Sequence, residues 1–347
     1  MAGVRHHTLP RFLLKGFASR VDGAKAFSWV YRRGGQPQEW SIRDIAVGKH
    51  FYGREGDLNA DPAITAEEAK LAPLVDELRT RPDGAHITDP AVASLIAHLS
   101  LRTRHFRDSI YESTDLFLDE IGRHLSDPEN LKAYILTNPE TMREALEKEF
   151  TSRKVPRNQR KLWTALALKM MPTFLEQQAE ALMFLARFVQ KAAAAALPRA
   201  VRNGHIKALA STPIPEPRAE EYLSLRWFVC HSPSPLIFGD VGCLFRVSGQ
   251  ERYRSFTFKD DRIEAASLPV SSERMLVGTR AGSVPEVDLD ALTQAHAAYS
   301  RDFLVCSERC ERMDSLALNL GSEPGLLSDE EMRRMLKELL SNRGITP

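Results

Sequence analysis

RHHTLPRFLLKGF, residues Arg5 to Phe17, places two histidines, a proline, three basic residues and five large apolar residues in thirteen positions. Segments at the start of a chain are ordinarily loose and polar. This one carries the residue types of an interior, so it is expected to be pinned into the core with Phe12, Leu14 and Phe17 as anchors. In extended backbone successive side chains alternate, so His6 and His7 point opposite ways and at most one of them serves a given site.

Working outward, Ala26–Tyr31 (AFSWVY) and Gln38–Ile42 (QEWSI) flank a Gly34-Gly35-Gln36-Pro37 turn and predict a β-hairpin. Ile45–Tyr52 is a short helix or strand. Thr65-x-x-Glu68 fits a capping box that opens a helix through Leu71, Leu74, Val75 and Leu78. Asp89-Pro90 starts the next helix, whose apolar face is Val92, Leu95, Ile96, Leu99, Phe106 and Ile110. His98, Arg102 and His105, spaced four and three, share another face of that helix. Helical pattern continues to Leu125, with further starts at Asp127-Pro128 and Asn138-Pro139. From Leu162 to Leu197 the chain reads as helix, with a kink or break at Pro172. Thr212–Pro217 (TPIPEP) is a stiff link and the best internal boundary. Beyond it, short strand-like runs separated by Gly, Pro and Asp turns predict a mainly antiparallel β region. Val287–Val305 returns to helix, and Ser328-x-x-Glu331 caps a terminal helix ending at Gly344.

The expected fold is α+β: helical N-terminal and middle parts, a mainly antiparallel C-terminal sheet and a terminal helix. Three segments are expected: 1–125 with the opening motif, hairpin and helices; 126–211 as a helical insertion; and 212–347 as the β region with C-terminal helices. The core draws on Phe12, Leu14, Phe17, Trp29, Leu95, Leu99, Trp227, Phe238 and Leu276.

Composition narrows the function classes. A chain of 347 residues, 43% hydrophobic and 27% charged, is of ordinary globular composition, and a net charge of +1 argues against a uniformly basic nucleic-acid clamp. Four cysteines are too few for a disulfide scaffold, and the first residues lack the apolar core of a signal peptide. No window approaches ~18 uninterrupted apolar residues. A cytoplasmic protein without a membrane partner is therefore expected. Absence of GxSxG, Walker, GxGxxG and HExxH patterns argues against serine hydrolases, P-loop enzymes, Rossmann enzymes and zincins.

Candidate chemistry rests on few residues. His7 before Pro10 is similar to the HHxxP opening of some His-metal nucleases, where a histidine activates water. Its plainer role is a backbone hydrogen bond at a packed terminus. Arg102 either binds an anion through its planar fork or ties a loop to the core. Glu68 is a cap or a site carboxylate. Asp240 lies in a Gly-rich turn, where Asp often bonds its own backbone. If His7, Glu68, Arg102 and Asp240 meet, they form a hydrolytic or metal-assisted site, with a divalent metal as the candidate cofactor. Arg11, His98 and His105 are then the candidate substrate-binding residues. Cys306-x3-Cys310, with Cys230 and Cys243 upstream, lacks the tight knuckle spacing of structural zinc. The cluster Arg153, Lys154, Arg157, Arg160 and Lys161 contacts phosphates or is a solvated loop.

Four places resemble a bacterial family designated domain-of-unknown-function family 4238. They are His7-x-x-Pro10-x-Phe12-x-Leu14-x-x-Phe17; Asp44 to Tyr52 with the Glu68 helix ending in Ala72-Pro73-Leu74; Leu101-Arg102-Thr103; and Trp227 leading to Phe238-Gly239-Asp240, Leu268-Pro269 and Met275-Leu276. Three departures are Arg104 where the family has proline, Asp240-Val241-Gly242 in place of Asp-Asn-Pro, and a missing asparagine within residues 291–300. The resemblance implies no activity. Two readings follow from the residues. The first is a hydrolase, nuclease or phosphoesterase-like, on a phosphate-bearing substrate such as nucleic acid; it requires His7 within ~12 Å of Arg102 or Asp240. The alternative is a non-catalytic protein-interaction or nucleic-acid-binding module. It places a protein partner on the helical insertion and requires exposed apolar area on the Leu175–Val189 face.

Overall fold

A computed structural model describes residues 5–54, 57–137, 139–211, 216–258, 260–280, 287–323 and 329–341. In chain order its elements are β1 (Arg5–His7), α1 (Arg11–Leu14), β2 (Arg20–Asp22), β3 (Lys25–Arg32), β4 (Gln38–Ser41), β5 (Val47–Lys49), α2 (Asp61–Thr80), β6 (Ala85–Ile87), α3 (Ala91–Arg102), α4 (Arg104–Leu125), α5 (Pro128–Leu136), α6 (Pro139–Ser152), α7 (Arg157–Gln177) and α8 (Ala179–Ser211). There follow α9 (Glu216–Leu223), β7 (Arg226–His231), β8 (Phe238–Gly239), β9 (Leu244–Val247), β10 (Tyr253–Arg254), β11 (Ile263–Pro269), β12 (Arg274–Thr279), α10 (Leu289–Tyr299), β13 (Phe303–Cys306), α11 (Glu311–Leu318) and α12 (Asp329–Ser341). The fold class is α+β, as the composition of the segments predicts.

The chain divides into two compact units, Met1–Ile110 with Val201–Leu326, and Tyr111–Ala200 with Leu327–Pro347. In the first unit β1 pairs with β5, setting His6 opposite Gly48 and His7 opposite Val47. A six-stranded sheet has the order β10-β9-β11-β12-β7-β6, and a second sheet the order β2-β3-β13-β8 with β4 also on β3. The predicted hairpin is β3–β4, in register Phe27 to Ser41 and Trp29 to Glu39. Leu95, Ile96 and Leu99 on α3 are fully enclosed, together with Leu13, Leu14, Phe17, Phe238 and Leu276. Trp29 is half-buried and packs against the smaller cluster of Tyr31, Leu304 and Met313.

The opening stretch is held from both ends of the chain. Phe17 stacks on Phe238 at 5.5 Å, and the Ser272 N–H donates to the Gly16 carbonyl at 2.9 Å. Arg79 on α2 donates to the carbonyls of Phe12 (2.6 Å) and Val270 (2.8 Å). It satisfies backbone acceptors that would otherwise be orphaned in an apolar interior.

Local chemistry corrects several expectations. Thr65 does not open a helix: α2 begins at Asp61, where Asn59 Oδ1 accepts from the Asp61 N–H at 3.0 Å. Glu68 is therefore mid-helix and free of any capping duty. The helix begun by Asp89-Pro90, whose Asp89 carboxylate accepts from the Ala91 N–H at 2.8 Å, stops at Arg102. Thr103 turns to extended backbone, and its hydroxyl accepts from the Phe106 N–H at 3.0 Å to start α4. His105 thus belongs to a different helix from His98 and Arg102. The helix predicted for residues 287–305 ends at Tyr299, and its last part is β13 in the middle of a sheet.

In the second unit, Asp127 caps α5 through the N–H groups of Glu129 and Asn130. Pro172 lies inside α7, which continues to Gln177, so the interruption falls at Gln178 rather than at the proline. By length and composition α8 is, among the described residues, the one helix that is apolar enough to cross a membrane. Residues 212–215 of the predicted link, Asn138, Ser328 and Gly344 lie outside the described residues.

Candidate functional site

Alternation along β1 sends His6 inward and leaves His7 half-buried. His6 Nδ1 accepts from the Tyr52 N–H at 2.9 Å, and the two rings stack at 5.4 Å. The buried Tyr52 hydroxyl donates to the His7 carbonyl at 2.8 Å. The same carbonyl takes a second bond, 2.6 Å, from Arg102 Nη2. Arg102 is fully enclosed. Its Nε donates to the Tyr52 hydroxyl at 3.1 Å, and its Nη1 reaches both the Glu68 carboxylate and His98 Nε2, the latter at 3.0 Å. Burial opposes its charge, but Tyr52 and Glu68 outweigh burial and raise its pKa. Beside it, burial and then the Arg102 charge hold His98 far below the usual histidine range, so His98 is a neutral acceptor. Every nitrogen of the guanidinium is engaged by the protein. The second of the two roles open to Arg102, tying the opening segment to the core, is the one this geometry fits; a buried arginine is tolerated only when paired in this way.

His7 itself opens onto a pocket of about 540 Å³, lined by Arg5, His7, Arg11, Lys25, Phe27, Ser41, Arg43 and Asp44. Four cationic side chains face one carboxylate, and that carboxylate is already bonded to Arg5 Nη2 at 2.6 Å. Burial, then the charge of Arg11, lowers the His7 pKa to about 4; Arg102 and Arg5 add to this, and the Ile45 carbonyl opposes it. The imidazole is neutral at pH 7, with Nδ1 buried and lacking a partner of hydrogen-bond geometry. A neutral, cation-flanked histidine suits an anion, because negative charge in the pocket relieves the repulsion that depresses it.

Asp240 is held elsewhere. Its two carboxylate oxygens accept from the N–H groups of Arg301 (2.7 Å) and Asp302 (2.8 Å), rather than from its own turn. Burial outweighs those bonds and raises its pKa to about 7. His105 Nε2 donates to the Tyr299 carbonyl at 2.9 Å, and burial keeps the ring neutral, with a pKa of about 4. Both residues therefore brace the 299–302 corner between α10 and β13. Of the four nominated residues, Arg102 joins the Glu68 carboxylate to the His7 backbone carbonyl, the His7 imidazole faces the basic pocket instead, and Asp240 makes its contacts apart from them.

Sequence reasoning missed Tyr52, the hub of the cluster, and the pocket cations Arg5, Lys25 and Arg43. It also missed a neighbouring node. There Arg107 lies 3.5 Å over the Phe51 ring and donates to His205 Nδ1 at 2.8 Å, while His205 Nε2 donates to the Leu101 carbonyl at 2.6 Å. Phe51 and Leu101, each in a family-like stretch, were the available signals for this node. The cysteines are free thiols. Among the described residues no three His, Cys, Asp or Glu side chains are grouped so as to hold a metal ion.

Comparison with curated proteins and with solved structures returns no match. A family model described as protein of unknown function (DUF4238) matches residues 5–299, which include the opening strand, Tyr52, Glu68, the Arg102 clamp, the basic pocket and Asp240. That match spans well over half of the 347 residues, and the chain belongs to the DUF4238 family.

Proposed function

We propose that this protein binds a phosphate-bearing ligand in the basic pocket beside His7. The supporting observation is the convergence of Arg5, Arg11, Lys25 and Arg43 on that one pocket. Arginine offers a planar fork that matches phosphate oxygens two at a time, and the flanking lysine adds a point charge. Arg102 contributes by position: its bond to the His7 carbonyl sets where the imidazole stands. The hydrolytic form of this reading uses His7 to take a proton from the attacking water, with the arginines carrying the charge that develops on the phosphoryl oxygens.

Calorimetric titration with pyrophosphate and with a short single-stranded oligonucleotide tests binding. The double variant R11A/R43A is expected to weaken affinity by at least about tenfold, as for loss of two phosphate contacts. Unchanged affinity would remove the proposal. Release of nitrophenol from bis-nitrophenyl phosphate by wild type and H7Q then separates the two forms. Turnover lost in H7Q with binding retained supports hydrolysis, and binding without turnover in either protein supports a binding module.

A further inference from the structure

Helices α7 and α8 turn their apolar sides outward. The inner face of α7 holds the buried Thr164 and Leu175. At ~100° per residue, Leu162, Trp163, Leu166, Met170 and Phe174 fall within an arc of about 120° on the opposite side. All five are exposed, Leu162 at 70% and Met170 at 60%. α8 repeats the pattern. Leu182, Met183, Ala186 and Gln190 face inward and are half-buried, whereas Phe184 (74% exposed), Leu185, Phe188 (62%) and Val189 form the outer stripe. Single exposed apolar residues are ordinary; two continuous stripes are the mark of an interaction surface.

The charges beside the stripes say what covers them. Lys169 borders the α7 stripe and is exposed, and Arg187, Lys191 and Arg199 on α8 are exposed on or beside its stripe, whereas Arg157 and Lys161 lie on the α7 side that holds Thr164 and Leu175. Residues 157–200 contain seven Lys or Arg against two acidic residues, Glu176 and Glu180. Residues 111–152 contain ten Asp or Glu against four Lys or Arg, so the cationic character belongs to these two helices and not to the whole unit. Apolar stripes with a tryptophan and mainly cationic borders fit the boundary between acyl chains and anionic headgroups. Two copies meeting face to face on the same stripes would oppose cation to cation.

We propose that the outer faces of α7 and α8 lie on an anionic lipid surface, with Leu162, Trp163, Met170, Phe184 and Phe188 in the acyl boundary and the flanking lysines and arginines at the headgroup phosphates. The attachment is peripheral. The expectation of no membrane partner considered spanning segments only, and four cations at 187, 191, 199 and 202 along α8 suit a helix lying on a surface better than one crossing it.

The test uses the full chain and vesicles of phosphatidylcholine, alone or with about one third phosphatidylglycerol. Co-sedimentation with the anionic vesicles is expected to exceed that with neutral ones by about tenfold or more and to fall as salt is raised. F184S/F188S and L166S/M170S, all at exposed positions and so folded by circular dichroism, are expected to lose most of the binding. Brominated acyl chains are expected to quench wild-type fluorescence more than that of W163F. Three results would overturn the proposal: no sedimentation with either vesicle; sedimentation unchanged in both serine variants; or a stable dimer that shields Trp163 without vesicle binding, which would assign the stripes to a second copy.

Discussion

Arg102 Nη2 donates to the carbonyl of His7 at 2.6 Å across 95 positions of sequence. The bond joins the end of α3 to β1, and through the other guanidinium nitrogens it also engages Tyr52, Glu68 and His98. Together with the Tyr52 hydroxyl, which bonds the same carbonyl, Arg102 sets the backbone on which the pocket histidine stands.

Removing that side chain leaves the Glu68 carboxylate, the His7 carbonyl and the Tyr52 hydroxyl short of a partner around a cavity. R102A is expected to destabilise the protein by about 3–5 kcal/mol, the usual cost of breaking one side of a buried ion pair. R102K keeps the charge but cannot reach all four acceptors, so it falls between. Urea unfolding measures both, and a loss below about 1 kcal/mol for R102A would mean that the cluster is not structural.

Little of this clamp was legible in the sequence. Alternation and turn residues place the β3–β4 hairpin and most strands of the C-terminal sheet, because those signals are local. The end of α3 is not local. Leu101-Arg102-Thr103-Arg104 carries no helix breaker, and the turn at Thr103 is stabilised by its own hydroxyl at the start of α4. Arg104 is the first residue of that helix, the position where proline is favoured, so the family's proline was a usable sign of the break. Glu68 fits a capping box by spacing, yet an earlier start at Asp61 leaves it free to pair with Arg102. The pocket was hidden for a different reason: Lys25, Ser41 and Arg43 join Arg5 and Arg11 only once the hairpin is paired.

Close approach at Gly16 gives a second test of how the opening stretch is held. A Cβ there would collide with the Val270 carbonyl oxygen and come within 2.8–2.9 Å of the Arg79 guanidinium. Both partners are fixed by their mutual hydrogen bond, so neither yields cheaply. G16A is expected to cost about 1–3 kcal/mol as an overpacking change. G35A, where the nearest atoms stand at 3.5 Å, is the control and is expected to stay within about 0.5 kcal/mol of wild type. Equal midpoints for the two variants in chemical denaturation would contradict the tight packing.

Stability should fall on acidification. His105 and His205 have pKa values near 4, His296 near 3 and His98 well below 6.5, in each case chiefly through burial. Because the folded values lie below the ordinary 6.5, the unfolded chain takes up protons first. Their contribution is present above pH 6.5 and is lost progressively down to about pH 4. Asp240 works the other way. Its pKa is raised from 3.8 to about 7, so the stability it lends is present below 3.8 and is lost as pH rises through 7. These histidines, with His7 also lowered to about 4, outweigh Asp240 and Asp108, whose pKa burial likewise raises, so Tm is expected to rise from pH 4.5 to pH 7, and more steeply in D240N, which removes one of the opposing groups. A Tm that holds level or falls over that range would show that the histidines are not buried as neutral rings.

The pocket makes a prediction at one atom. Burial is the largest cause of the low His7 pKa, and the charge of Arg11 is the next. R11Q removes the second cause and leaves the first. The His7 pKa, followed by NMR through its ring carbon shift, is therefore expected to rise from about 4 without reaching 6.5. Pyrophosphate should raise it in wild type, since a bound anion offsets Arg5, Arg11 and Arg102 together. The same addition should have a smaller effect in R11Q, which offers one arginine fewer to hold the anion. A His7 pKa that ignores both the substitution and the added anion would mean that the cations lining the pocket are screened by solvent, and that they do not act together on a ligand.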